Sequence, residues 1–361
     1  MEKLLVEERK PSSRIEYIDL MKGICIVLVV LEHCKLSFPQ GSLIWSMFEH
    51  MRMPLYFFLS GLFFKEYTGF KDYFIRKSNK LLVPYIFFSL IYFLPDILLI
   101  NFKHASKLLT PAYFNDLLFM PLNSPLWFLR CLFFTGCIYF VLHLVLKKFN
   151  LLLQIGIVLS LSFCAMNVYD YYLPEINKDK VFQFFAISKL FPALVALPFF
   201  WAGNLVYPYM KDFHKSKKYV FVGLIITVAL AALFCKGAVD FNNMVFTNNF
   251  FFFYLGAISG IAAVWCLSFI MKKLIIISIF GRYSLIILGT HWATMNSLLK
   301  NGVTDVYVLC AITLGIMPVM IWFFRKYFPF CCAQKNFFEL KGGKVLFLKH
   351  RIIGSLIKSR A

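Results

Sequence analysis

Charge is scarce in this sequence, and acid scarcer than base. Only 16% of the 361 residues are charged, and 38 Lys and Arg outnumber 18 Asp and Glu. Soluble domains carry about 25% charged and about 45–50% apolar residues. Here the hydrophobic share is 60%, which excludes a soluble globular domain. Metal-ligand spacing is missing too: no CxxC pair occurs, and none of the 10 cysteines combines with a histidine at zinc spacing. No metal and no bound cofactor is expected. Most cysteines fall inside apolar runs as small core hydrophobes; Cys331-Cys332, past the last run, is the candidate for a reactive or lipidated site. There is no internal repeat. No secretory signal is evident either, since the first apolar run begins near Gly23 behind a charged leader, without a small-residue cleavage site before Pro39.

What the chain has in quantity is apolar runs of the ~20 residues that cross a bilayer as a helix. Ten can be drawn, at 20–38, 43–64, 81–101, 124–146, 150–168, 184–208, 219–236, 249–270, 274–296 and 303–324. The expected fold is all-α: a polytopic integral membrane protein of about ten transmembrane helices. A leader (1–19) precedes the membrane domain (20–328), and a basic tail (329–361) follows. The tail is too short and basic for a folded domain, and its Phe, Leu and Ile among Lys and Arg suit a segment lying on anionic lipid.

The formal net charge of +20 does not imply nucleic acid, because the cations sit in short clusters between apolar runs. The clusters alternate. One set of loops holds Arg9, Arg14, Lys71, Arg76, Lys77, Lys80, Lys147, Lys148, Lys215, Lys217 and Lys272; the other holds only Lys103, Lys107, Lys178, Lys180 and Lys300. Short cytoplasmic loops carry the Lys/Arg excess, so both termini are expected in the cytoplasm of a bacterial inner membrane. The opposite loops are rich in Asn, Asp, Tyr and Phe, as in Asn115-Asp116 and Asp240 to Asn243. That mixture suits a membrane interface and also a sugar ring. Pro54, Pro84, Pro95, Pro192, Pro198 and Pro318 lie within or at the ends of spans, where such breaks are tolerated if the backbone faces protein or a cavity.

Ionisable groups inside a membrane are costly and mark a path or site by default. Lys22 and His33 share the first span. Eleven residues apart, they lie within about 20° of one face and about 16 Å apart along the axis. Asp19 is within about 40° of that face. The bland alternative is a Lys22 that snorkels to phosphate and a His33 that makes an ordinary interhelix hydrogen bond. His291, in the ninth run, is a second candidate; His50 and His143 read as packing histidines. Glu32 and Glu49 stand near the exterior mouth, where they could orient a histidine or simply be hydrated.

Other motifs give this stripe a context. The second run reads Met51-Arg52-Met53-Pro54-Leu55-Tyr56-Phe57-Phe58-Leu59-Ser60-Gly61; Arg76-Lys77-Ser78-Asn79-Lys80 follows, then Pro125-Leu126-Trp127-Phe128-Leu129-Arg130, and later Gly281-Arg282-Tyr283-Ser284 with His291. The ordered set resembles the membrane acyltransferase family 3, and within it the fucose 4-O-acetylase-like branch. The resemblance is strong over the first 130 residues and rests only on hydropathy in the middle.

The resemblance implies an O-acyltransferase that uses acyl-CoA, most simply acetyl-CoA, as co-substrate. Its acceptor would be a hydroxyl of a surface polysaccharide, such as an exopolysaccharide, or of a lipid-linked glycan. The family pattern of Arg, ten residues, His is met by His33, with Lys22 where Arg is usual. Lys keeps the charge and loses the bidentate fork. The family's Arg-x-x-Arg pair corresponds to Lys77 and Lys80, with Arg76 beside them, as a docking site for the donor's phosphates. His33 would deprotonate the acceptor hydroxyl or be acylated first. Arg52, Trp127, Arg130 and Glu32 are the implied oxyanion or acceptor contacts, with a structural ion pair as the alternative for Arg130. Many relatives carry an additional extracytoplasmic esterase-like domain, for which this chain leaves no room. The rival readings are a secondary transporter or glycan flippase, which repeated halves or paired broken helices would favour, and a non-catalytic membrane subunit.

Overall fold

The structure is a computed structural model, described here for residues 15–34, 42–99, 124–172, 190–211, 213, 216–333, 335–341 and 344–347. The start of the leader, the whole 102–123 loop, most of the 169–183 loop, Lys215 and the end of the tail lie outside the described residues.

Each of the ten segments drawn from hydropathy contains helix among its described residues. They are α1 Glu16–His33, α2 Leu43–Leu62, a short α3 Phe70–Lys77, α4 Val83–Leu99, α5 Trp127–Leu146, α6 Leu151–Tyr172, α7 Phe191–Lys211, α8 Lys217–Phe234, α9 Phe250–Met271, α10 Ile275–Arg282, α11 Ser284–Lys300 and α12 Val306–Tyr327. Several begin where a side chain takes the first free backbone N–H: Asn249 accepts from Phe251 N at 3.0 Å, and Asp305 from Val308 N at 2.9 Å. Among the described residues, six helices are long and apolar enough to cross a membrane, or seven if the bent pair α10–α11 counts as one span. Leu152, Phe221, Ile225 and Tyr307 stand exposed on their outer faces, which suits lipid rather than water. The fold is that of an all-α multi-pass membrane protein.

The innermost helices are not the most apolar ones. Asp19, Lys22, Glu32 and His33 on α1, and Glu49, His50 and Arg52 on α2, lower the hydropathy of the two helices whose buried faces carry the site. Close packing there depends on glycine. A Cβ on Gly23 would strike the Ile277 carbonyl, and one on Gly281 would strike the Asp19 carbonyl, so α1 and α10 touch backbone to backbone. Gly61 and Gly203 let α2 and α7 approach in the same way, against the carbonyls of Phe200 and Phe58. Small residues permit this in membranes, where helices associate by packing rather than by the hydrophobic effect.

One expectation needs correction. The run at 274–296 is not one straight span: α10 and α11 meet at Tyr283 with a 92° bend. Backbone contact of Gly281 with α1 fixes α10, while α11 turns off to pack on α1, α4 and α12. The tail, expected to be too short and basic for a folded domain, carries an antiparallel hairpin of Phe338–Lys341 with Lys344–Phe347. Buried Asn79 holds it, accepting from Phe337 N and Phe338 N at 2.6 and 2.7 Å and donating to the Phe338 carbonyl at 2.8 Å. A second, two-residue hairpin pairs Val239–Asp240 with Val245–Phe246 in the α8–α9 connection.

Candidate active site

Two cavities lie at opposite ends of α1. The first, about 640 Å³, is lined by Lys22, Lys77, Lys80 and Arg282, and none of its lining residues is acidic. Lys22 sits 4.4 Å from the centroid of the Phe63 ring, a cation–π contact that helps position the ammonium. Lys77 precedes and Lys80 lies within a single π-helical turn, Ser78–Leu82, between α3 and α4. Such turns widen the helix locally and gather at functional sites. Arg282 ends α10 and is held by Asp19 at 3.6 Å. Cys332, just past α12, borders the same cavity, with its sulfur 3.6 Å from that of Cys331.

Burial and the neighbouring Lys80 ammonium hold Lys77 down at about 8. A bound polyanion favours the charged amine, so donor affinity is expected to fall as pH rises above about 8. The Kd of a polyphosphate probe, measured between pH 7 and 9.5, should climb over that window, and Lys77→Arg should flatten the climb because guanidinium stays charged. The double change Lys77→Ala/Lys80→Ala should raise KM more than it lowers kcat. Arg76 differs from expectation: it points outward, 61% exposed, and pairs with Asp72 at 2.7 Å. Arg76→Ala should leave donor KM close to wild type.

The second cavity, about 240 Å³, is lined by His33, Glu32, Glu49, Arg52, Trp127 and Asp240. It carries three carboxylates and one guanidinium, the reverse of the first. Glu32 and Arg52 form an ion pair across α1 and α2, and the Cys25 thiol donates to the Arg52 carbonyl at 2.8 Å. Asp240 is immobilised by Asn242 N, Asn243 N and Asn243 Nδ2 at 2.7–3.1 Å. The Ser46 hydroxyl ties this hairpin to α2 through the Gly237 carbonyl at 2.9 Å.

His33 is half-buried, its ring 5.3 Å from His291 and 5.1 Å edge-on to Trp292, centroid to centroid. Fully buried His291 donates Nδ1–H to the Ile287 carbonyl at 2.7 Å, which leaves Nε2 as its lone-pair nitrogen. The two histidines, 258 residues apart, thus share one locus. His50 and His143 do not join them: His50 bonds Ser46 O at 2.8 Å, and His143 lies 3.6 Å from Glu66. Arg130 lines neither cavity; it is buried and hydrogen-bonded to Tyr85.

Tyr56, Phe128 and Leu288 line both cavities. Neither this role nor the Asp19–Arg282 pair has a signature in the motifs. A cationic chamber and a histidine–carboxylate chamber therefore abut through three side chains. This division suits moving a group from a polyanionic carrier to a hydroxyl.

The acyltransferase domain model of the acyltransferase 3 family matches residues 15–328, and the chain belongs to that family. It is a membrane acyltransferase. No curated protein and no solved structure matches it.

Proposed function

We propose that this protein is an acetyl-CoA-dependent O-acetyltransferase of a bacterial inner membrane, with ten transmembrane helices, both termini cytoplasmic, and a surface or lipid-linked glycan as acceptor. The observation that carries the reading is the pair of abutting cavities with opposite charge. Coenzyme A bears several phosphate charges, which Lys22, Lys77 and Lys80 would hold while the pantetheine arm reaches toward Tyr56 and Phe128. The acceptor would enter beside Trp127, whose face suits a sugar ring, with Glu32, Glu49 and Asp240 as hydroxyl acceptors. The Lys/Arg asymmetry of the loops supports the donor chamber as the cytoplasmic one, and the motif order supports the fucose 4-O-acetylase-like branch.

The transfer follows from these groups. The His33 imidazole takes the proton of the acceptor hydroxyl. The oxygen attacks the thioester carbonyl carbon, a C–O bond forms and the negative charge gathers on the carbonyl oxygen near Arg52. The C–S bond then breaks, and the leaving CoA thiolate recovers a proton from the imidazolium. A direct transfer keeps the donor carbonyl and acceptor hydroxyl in contact at the septum shared by the chambers, where an acyl-histidine would need two successive approaches.

Purified protein in lipid nanodiscs, given radiolabelled acetyl-CoA and glycan, should yield acetylated glycan and free CoA thiol together, and His33→Ala should abolish both. Wild-type protein that translocates glycan without releasing thiol would favour a transporter instead.

A further inference from the structure

We propose that Tyr56, Phe128 and Leu288 form the acyl-chain pocket and set the length of acyl group accepted. The inference rests on the acyl-transfer reading and deepens it. Among the described residues these three alone line both chambers. A thioester held on the lysine side can meet a hydroxyl held on the histidine side only where the chambers adjoin. The acyl group must therefore lie against these side chains at the moment of transfer.

The three leave little room. Tyr56, Phe128 and Leu288 are 8%, 4% and 6% exposed. The Tyr56 and Phe128 rings are 5.3 Å apart, and Phe128 is backed by fully buried Phe57 at 5.2 Å. Leu288 cannot retreat either, because the next residue, Gly289, already seats its helix on the Phe88 ring. Close-packed walls respond poorly to added methylenes. A two-carbon acyl group would lie against these walls where the chambers adjoin, and longer chains would be excluded by the same contacts.

The test compares kcat/KM for acetyl-, butanoyl- and hexanoyl-CoA, read as glycan-dependent CoA thiol release by full-length protein in nanodiscs. Wild type should prefer acetyl. Leu288→Ala should raise the butanoyl-to-acetyl ratio at least about tenfold, within the usual range for pocket methylenes, and Phe128→Leu should move it the same way. Leu288→Val removes one methylene and should shift the ratio about fourfold, so a poorly folded Leu288→Ala protein does not end the test. Unchanged ratios in folded Leu288→Val and Phe128→Leu proteins, or hexanoyl transfer by wild type as fast as acetyl, would overturn the length assignment while leaving the transferase reading intact. A wild type that transfers none of the three acyl groups overturns that reading and this inference with it.

Discussion

His33→Ala is expected to lower kcat at least about 10²-fold, the low end of general acid–base contributions, with normal insertion and yield. Its ring contacts are with His291 and Trp292, and losing one imidazole's interactions in a membrane bundle rarely costs more than about 2 kcal/mol. The measurement is single-turnover acetyl transfer beside a thermal unfolding curve of the same preparation. A structural histidine would lose stability and activity together; a catalytic one loses activity alone. Lys22→Arg should retain turnover and Lys22→Ala should not, since the α1 cation of the donor chamber is needed but its fork is not. Normal turnover by well-folded His33→Ala protein would remove the residue from the chemistry and bring His291 forward.

Arg52→Ala should be the most destabilising single change at the site. It strands the Glu32 carboxylate, which keeps only 26% of its side-chain exposure, and breaking a buried pair by removing one partner costs about 3–5 kcal/mol. The partial exposure of Glu32 places the loss near the low end of that range, roughly 3 kcal/mol. The double variant Arg52→Ala/Glu32→Ala should recover most of the lost stability, because no uncompensated charge remains, yet should still transfer acetyl poorly. Unfolding midpoints of the four proteins in one detergent would test the cycle. A double variant as unstable as the single one would show that Arg52 acts through packing, not through Glu32.

Much of this arrangement was legible in the chain, for identifiable reasons. Apolar runs of bilayer length placed the helices, because hydrogen bonding in lipid leaves the backbone few alternatives. Lys22 and His33 followed from helical geometry alone, and they line different chambers at the two ends of α1. Lys77 and Lys80 were legible as a pair, but not the direction of Arg76. An i,i+4 partner at Asp72 turns it outward, and the spacing of residues on one helix does not say which face meets the bundle.

Contacts between distant segments left no local trace. Nothing near His33 announces His291, and nothing in 274–296 announces the bend, since its cause is Gly281 against the α1 backbone rather than a proline. The hairpin of the tail did have a signal: Gly342-Gly343 between alternating runs is a hairpin signature. The basic composition of the segment hid it.

The central claim is that an acyl group passes from a lysine-lined chamber on the cytoplasmic side to a histidine-lined chamber on the other. Sealed inverted membrane vesicles isolate that step. Labelled acetyl-CoA, which cannot cross a bilayer, is supplied only outside, and the glycan acceptor is enclosed within. The account predicts acetylated glycan in the lumen, dependent on His33, with free CoA thiol appearing outside. Acetylation only when donor and acceptor are placed on the same side would contradict it.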